Sequence, residues 1–202
     1  MSQLPKMPII NPVKREPFDD PTGDWTFDFK YDGFRGVLYK GEEHAWFRSK
    51  QDVVMVRFGG LAREVASLLK AKEAIVDGEI VVLDMDGRPI FNDILRKRSM
   101  LTYIAFDLLW LDGEDIRPLP LKERRRRLAR ILPQKSTRVL PAFTAQNQGQ
   151  AMYDFMCKHD LEGLVAKRLG DPYNKRVKWY KIKNPNYSQE VGRQEGFNRR
   201  RQ

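Results

Sequence analysis

The chain has 202 residues, 41% hydrophobic and 32% charged, a mixture able to bury a core and inconsistent with large-scale disorder. No apolar run reaches the length that spans a bilayer, the first residues lack the apolar block of a signal peptide, and a single cysteine, Cys157, excludes an intramolecular disulfide. The formal charge of +10 predicts attraction to polyanions, because each phosphate neutralised by Lys or Arg releases condensed counterions. These features predict one soluble, cytoplasmic domain with no membrane partner; Cys157 is expected as a small residue packed on a helix.

Five prolines fall among the first 24 residues, so residues 1–24 are expected to be extended. Regular structure begins at WTFDFKYD, which alternates strictly: Trp25, Phe27, Phe29 and Tyr31 on one side, Thr26, Asp28, Lys30 and Asp32 on the other. That period of two predicts a strand with its aromatics in a core and its charged set on an open face. GVLYK, HAWFRS, EAIVDGEIVVLD, LTYIAFDLLWLD, GLVAKRL and VKWYKIK also read as strands, with Asp86-Gly87 as a hairpin turn flanked by solvent-facing Asp84 and Asp86. Helices are predicted at LAREVASLLK, LKERRRRLARIL and QAMYDFMCKH; in the second, Leu121, Leu128, Ile131 and Leu132 form the apolar stripe, and Arg124 to Arg127 are expected on a solvated face. Strands that carry the motifs with helices packed outside make an α+β fold, its domain spanning residues 25–190 and followed by a basic tail at 191–202.

The first strand ends in Lys30-Tyr31-Asp32-Gly33-Phe34-Arg35. A lone K-x-D-G reads as a surface ion pair, but here the glycine permits a sharp turn and close backbone approach to a ligand. Three later segments join it: Asp77-Gly78-Glu79, Phe106-Asp107, and Glu162 to Lys167; then Lys181-Ile182-Lys183 places two lysines on one strand face, an arrangement suited to a triphosphate. A free lysine, with a pKa near ~10.4, is almost wholly protonated at neutral pH, so a nucleophilic lysine needs desolvation and neighbouring cations, which also stabilise charge on phosphoryl oxygens. Glu79 and Glu162 suit a Mg2+ ion that prefers carboxylate and phosphate oxygens. His44 and His159 stand isolated and receive no role.

In KYDGFR, DGE, FDLLWLDG, EGLVAK and the closing KIK, in that order between about Trp25 and Lys183, the chain resembles the covalent nucleotidyltransferases, and within them the ATP-dependent DNA ligases of bacteria and archaea, including small stand-alone members and the ligase domain of end-joining ligases. The resemblance implies an ATP-grasp-like nucleotidyltransferase domain of antiparallel sheets flanked by helices. It implies three steps: AMP passes from ATP to lysine, then to a 5′-phosphate, and a 3′-hydroxyl displaces AMP to seal a nick in double-stranded DNA. Under it Lys30 is the nucleophile and Arg35 a ribose or substrate-phosphate contact. Glu79 holds the ribose hydroxyls or a metal, Phe106 stacks on adenine, Glu162 organises the metal, and Lys181 and Lys183 neutralise the α-phosphate and pyrophosphate. Asp28 falls near the adenine edge, with Phe29 and Lys167 in the same pocket. Lys50 stands where many relatives have arginine, so that Arg48 is expected to share the 5′-phosphate contact.

Only about twenty residues follow Lys183, too few for the OB-fold domain that ligases of this kind carry next. The resemblance therefore implies a nucleotidyltransferase core that works with a partner protein supplying OB-fold or end-joining functions, or one in which Arg193 and Arg199 to Arg201 substitute in part. RNA ligation or RNA-repair adenylylation, guanylyl transfer, and a non-catalytic nucleic-acid-binding module of the same fold are the competing readings.

Overall fold

A computed structural model describes residues 4–96 and 100–190; the tail at 191–202, with Arg193 and Arg199 to Arg201, lies outside the described residues. In chain order the elements are β1 (Val13–Lys14), β2 (Trp25–Phe29), β3 (Phe34–Lys40), β4 (Ala45–Arg48), a 3-10 turn (Val56–Phe58), α1 (Gly59–Leu68), β5 (Ala74–Val82), α2 (Phe91–Arg96), β6 (Leu101–Leu111), β7 (Glu114–Asp115), α3 (Leu121–Ile131), β8 (Val139–Pro141), β9 (Thr144–Gln146), α4 (Gly149–Lys158), β10 (Gly163–Arg168) and β11 (Tyr180–Lys183). One sheet runs β1-β11-β10-β2-β9; the other runs β4-β3-β5-β6-β7, with β8 beside β6. The fold is α+β, as expected. Two pairings depart from the antiparallel expectation, β1 with β11 and β6 with β8, both parallel. Each is a short edge pairing of two or three residues, made by a segment that carries too few positions to show a period.

Three apolar layers hold the sheets. Leu61, Ala62 and Val65 of α1, Phe91 and Ile94 of α2, and Leu128 and Ile131 of α3 cover the outer face of the second sheet over Leu38, Val76, Ile80 and Leu108. Met152 and Met156 of α4 cover the outer face of the first sheet over Phe27, Leu164 and Ile182. Between the sheets, Val37, Tyr39, Ile75, Leu109 and Trp179 pack with Met7 and Ile10 of the N-terminal segment. That segment is pinned to the sheets: the Met7 amide donates to the Tyr39 hydroxyl at 3.1 Å and Arg35 Nη1 to the Ile10 carbonyl at 2.7 Å.

Because β2 is an inner strand with a sheet opposite it, both of its faces are covered. Phe27 is fully buried, yet Thr26, Asp28 and the following Asp32 are also buried, so the charged set does not face open solvent as the alternation predicts. The arginine run is likewise not a solvated face. Arg124 is 1% exposed and forms a bidentate pair with Asp107, both bonds 2.8 Å, while Arg125 turns inward to Asp28. Arg126 and Arg127 alone follow the expectation, pairing with Glu123 and, for Arg127, Glu114 near the surface. Cys157 is exposed, because Met152 and Met156 take the inward face of α4. No helix among the described residues is long and apolar enough to cross a membrane.

Candidate active site

The inner faces of the two sheets diverge into a cleft of about 620 Å3, whose lining includes Asp28, Lys30, Arg35, Lys50, Glu79, Phe106, Lys167, Trp179 and Lys181. Several of the lining residues share one side of their strands by period two, as Val165 and Lys167 do on β10. Phe106 reaches the cleft by a different route. Pairing of β5 with β6 runs Gly78 to Ala105 and Asp77 to Asp107, so Phe106 is the extra residue of a bulge. A bulge re-aims side chains. Here Phe106 enters the cleft while its neighbour Asp107 turns to Arg124 of α3.

Lys30 sits just past the end of β2, where its backbone amide donates to the Gly163 carbonyl at 2.9 Å. Its Nζ donates to Oε1 of Glu162, the residue before Gly163, whose side chain is almost fully buried. Gly163 has φ +133°, and a Cβ there would collide with the Ile182 carbonyl, so glycine is required for β10 to begin with Glu162 against Lys30. Gly33 answers to the same constraint: a Cβ would strike the Ile80 carbonyl where the chain turns from Lys30 into β3. Asp32 is buried and accepts from the Tyr187 hydroxyl at 3.3 Å.

A charge network underlies the cleft. Asp28 Oδ2 meets Lys167 Nζ at 2.7 Å and Arg125 Nη2 at 2.5 Å. Burial works to raise its carboxyl pKa, but the two cations outweigh it and hold the group below the usual carboxylate range. Lys167 is buried, and desolvation lowers its pKa to about 8 against the opposing pull of Asp28. Its ammonium lies 4.2 Å from the Phe106 ring centroid and 4.1 Å from that of Trp179. Arg35 makes a second network. Nε and Nη2 bind Asp77 at 3.0 and 2.5 Å, and Asp77 also accepts from the Tyr173 hydroxyl at 2.7 Å. Burial opposes the Arg35 charge, yet the Asp77 carboxylate raises its pKa further.

The structure therefore brings Asp28, Phe29, Lys30, Arg35, Lys50, Glu79, Phe106, Lys167 and Lys181 to one cleft, with Glu162 joined to it through Lys30. Arg48 is not there. It binds the Asp52 carboxylate and carbonyl at 2.8 and 2.9 Å and lines a separate depression with Tyr39 and Trp46. Lys183 also lies outside the cleft lining, paired with Glu190 at 2.6 Å. Arg35 lines the cleft, but all three of its guanidinium nitrogens are already engaged by Asp77, Ile10 and Tyr173. Sequence reasoning did not single out Trp179, Asp77 as the Arg35 anchor, or Arg125. For Trp179 a signal existed, since it shares the period-two side of Lys181 and Lys183 in VKWYKIK. Among the described residues no group of three or more His, Cys, Asp or Glu side chains is placed to hold a metal. Glu79 lines the cleft, whereas Glu162 meets it through Lys30; carboxylates of this kind suit Mg2+, which takes one or two of them and completes its shell with phosphates and water.

The family model described as the ATP dependent DNA ligase domain matches residues 12–183. The chain is 32% identical over 173 residues to the multifunctional non-homologous end joining protein LigD of Pseudomonas aeruginosa, covering 81% of this chain and 20% of that protein. It is 29% identical over 192 residues to the SPbeta prophage-derived DNA ligase-like protein LigB of Bacillus subtilis, covering 90% of this chain and 68% of that one. The crystal structure of the ligase domain from M. tuberculosis LigD superposes with a TM-score of 0.69 at 25% identity, over 88% of this chain and 60% of that chain. The chain thus spans a fifth of the Pseudomonas relative. With the motifs, the two-sheet fold and the family model in agreement over most of its length, the chain belongs to the ATP-dependent DNA ligase domain family.

Proposed function

We propose that this chain is an adenylylating enzyme core that activates and seals 5′-phosphate ends in nicked double-stranded DNA, with Lys30 as its nucleophile. The observation that carries the reading is Lys30 Nζ held by the buried Glu162 carboxylate at the wall of a cleft that also presents Glu79, Lys167 and Lys181. Once the amine has shed a proton to water, its lone pair forms a nitrogen–phosphorus bond to the α-phosphate of ATP, and the bond to the β-phosphate breaks, pyrophosphate carrying away the electron pair. Lys181 faces the cleft and supplies positive charge where phosphoryl oxygens gain charge; Lys183 does so on leaving Glu190. Glu79 and Glu162 are the carboxylates that would hold Mg2+, which would supply further neutralisation of phosphate charge. Phe106 offers its ring to the base, Asp28 and Phe29 complete that end of the cleft, and Lys50 at the exposed rim meets the acceptor 5′-phosphate as a point charge.

A 5′-phosphate oxygen then attacks the lysyl adenylate, returning the amine to Lys30, and a 3′-hydroxyl displaces AMP to close the nick. A partner protein that supplies OB-fold or end-joining functions assists those later steps. ATP labelled in the α-phosphate, with Mg2+, is expected to mark the wild-type chain and leave Lys30→Ala unmarked. Pre-labelled chain should then pass AMP to nicked DNA in preference to a nicked RNA duplex. Label that survives Lys30→Ala contradicts the nucleophile, and preference for RNA moves the protein to RNA repair.

A further inference from the structure

One oxygen beside the cleft is left unsatisfied by the fold. Asp28 is 2% exposed and lines the cleft; its Oδ2 receives both Arg125 Nη2 and Lys167 Nζ, whereas Oδ1 is buried with no hydrogen-bond partner among the described residues. An ionised carboxylate only accepts hydrogen bonds, and leaving such an oxygen bare is costly. A ligand that completes it must bring an N–H or O–H donor. Arg125 determines which oxygen stays open. From α3, a helix packed on the second sheet, its guanidinium crosses to the first: Nη2 reaches Asp28, Nη1 lies 3.3 Å from Thr26 Oγ1 and 3.4 Å from Thr144 Oγ1, and Nε donates to the Phe106 carbonyl at 3.2 Å.

We infer, on the reading that the cleft binds a nucleoside triphosphate, that Arg125 is a positioning residue for base selection: with Lys167 it claims Asp28 Oδ2 and reserves Oδ1 for an amino group on the base edge, while its bond to the Phe106 carbonyl holds the neighbouring ring. Neither cation has an acceptor to offer, so both force an oxygen toward themselves. The arrangement makes an unusual prediction for Asp28→Asn. Arg125 and Lys167 will capture the amide oxygen, turn the NH2 group to the ligand, and convert a site that selects an amino donor into one that selects a carbonyl acceptor. A scaffold role for Arg125 predicts that the inversion persists when Arg125 is removed, because Lys167 remains on the same oxygen.

The test measures labelling of the full chain with ATP, inosine triphosphate and purine riboside triphosphate, which carry an amino group, a carbonyl and hydrogen at the same ring position. Wild type should favour ATP over both by about tenfold or more in efficiency, the cost of one unsatisfied buried partner. Arg125→Met should raise the ATP KM and collapse that ratio toward unity, with Arg126→Met as a control that keeps it, because Arg126 pairs with Glu123 away from the cleft. Asp28→Asn should invert the ratio in favour of inosine triphosphate, and Asp28→Asn combined with Arg125→Met should lose the inversion. If Arg125→Met does not fold, Arg125→Lys takes its place: it keeps one charge but cannot hold Asp28, the Phe106 carbonyl and the two threonine hydroxyls together, and it should narrow the ratio and weaken the inversion in Asp28→Asn. Labelling by ATP with undiminished selectivity in Arg125→Met, or no inversion in Asp28→Asn, overturns the inference and leaves the adenylylation reading standing. No labelling of wild type by any of the three overturns both.

Discussion

Lys167 shows how a single residue in this protein couples burial to charge. Its ammonium is desolvated against Phe106 and Trp179 and is retained by Asp28, with Arg125 as a competing cation. Its pKa in the folded chain, about 8, lies below the ordinary 10.5. Between those values the unfolded chain binds more protons than the folded one, so this group's contribution to stability rises with pH across that window. Denaturation midpoints of wild type and Lys167→Met at about pH 7 and about pH 9.5 should therefore diverge in favour of wild type at the higher pH, after common effects cancel. A difference that is flat or of opposite sign contradicts the assigned burial. The Arg124–Asp107 pair offers a companion case: Arg124→Met leaves Asp107 as an uncompensated buried charge and is expected to cost about 3 to 5 kcal/mol in a urea titration.

At the scale of elements, most strands and three helices were legible because their periods are long enough to read. β5 and β6 appear within two residues of the segments predicted from EAIVDGEIVVLD and LTYIAFDLLWLD. What escaped was local. β1, β8 and β9 are two or three residues long, and their existence depends on partners distant in sequence, while β7 is a two-residue return onto β6 across the Asp112-Gly113 turn. The inward turn of Arg124 was legible in principle, since positions 121, 124, 128 and 131 share one helical face; the charge of the residue outweighed its position on the stripe. The motif glycines behaved as their chemistry demands. Gly163→Ala places a Cβ against the Ile182 carbonyl at a φ that side chains avoid, and should destabilise by about 2 kcal/mol or more, read as a lower urea midpoint. An unchanged midpoint contradicts the close approach of β10 to β11 that sets Glu162 beside Lys30.

For the whole molecule, the sequence motifs pointed to the cleft because each lies on or next to a strand that borders it, while the networks that hold it depended on packing between sheets and α3 that no local pattern encodes. Arg35, Arg48 and Lys183 are each engaged by a partner that the fold supplies, Asp77, Asp52 and Glu190, for the same reason. For the proposed binding of nicked duplex DNA, a formal charge of +10 over 202 residues predicts a dependence on counterion release. Affinity should fall by about tenfold or more between about 50 and about 200 mM salt, measured by fluorescence anisotropy, and a salt-independent affinity contradicts phosphate contact as its source. The most direct test is mass spectrometry of the chain after incubation with ATP and Mg2+. A gain of about 329 Da that fragments to the peptide containing Lys30 is the predicted result; no gain, or an adenylate mapped to Lys167 or Lys181 while Lys30 stays unmodified, contradicts the account.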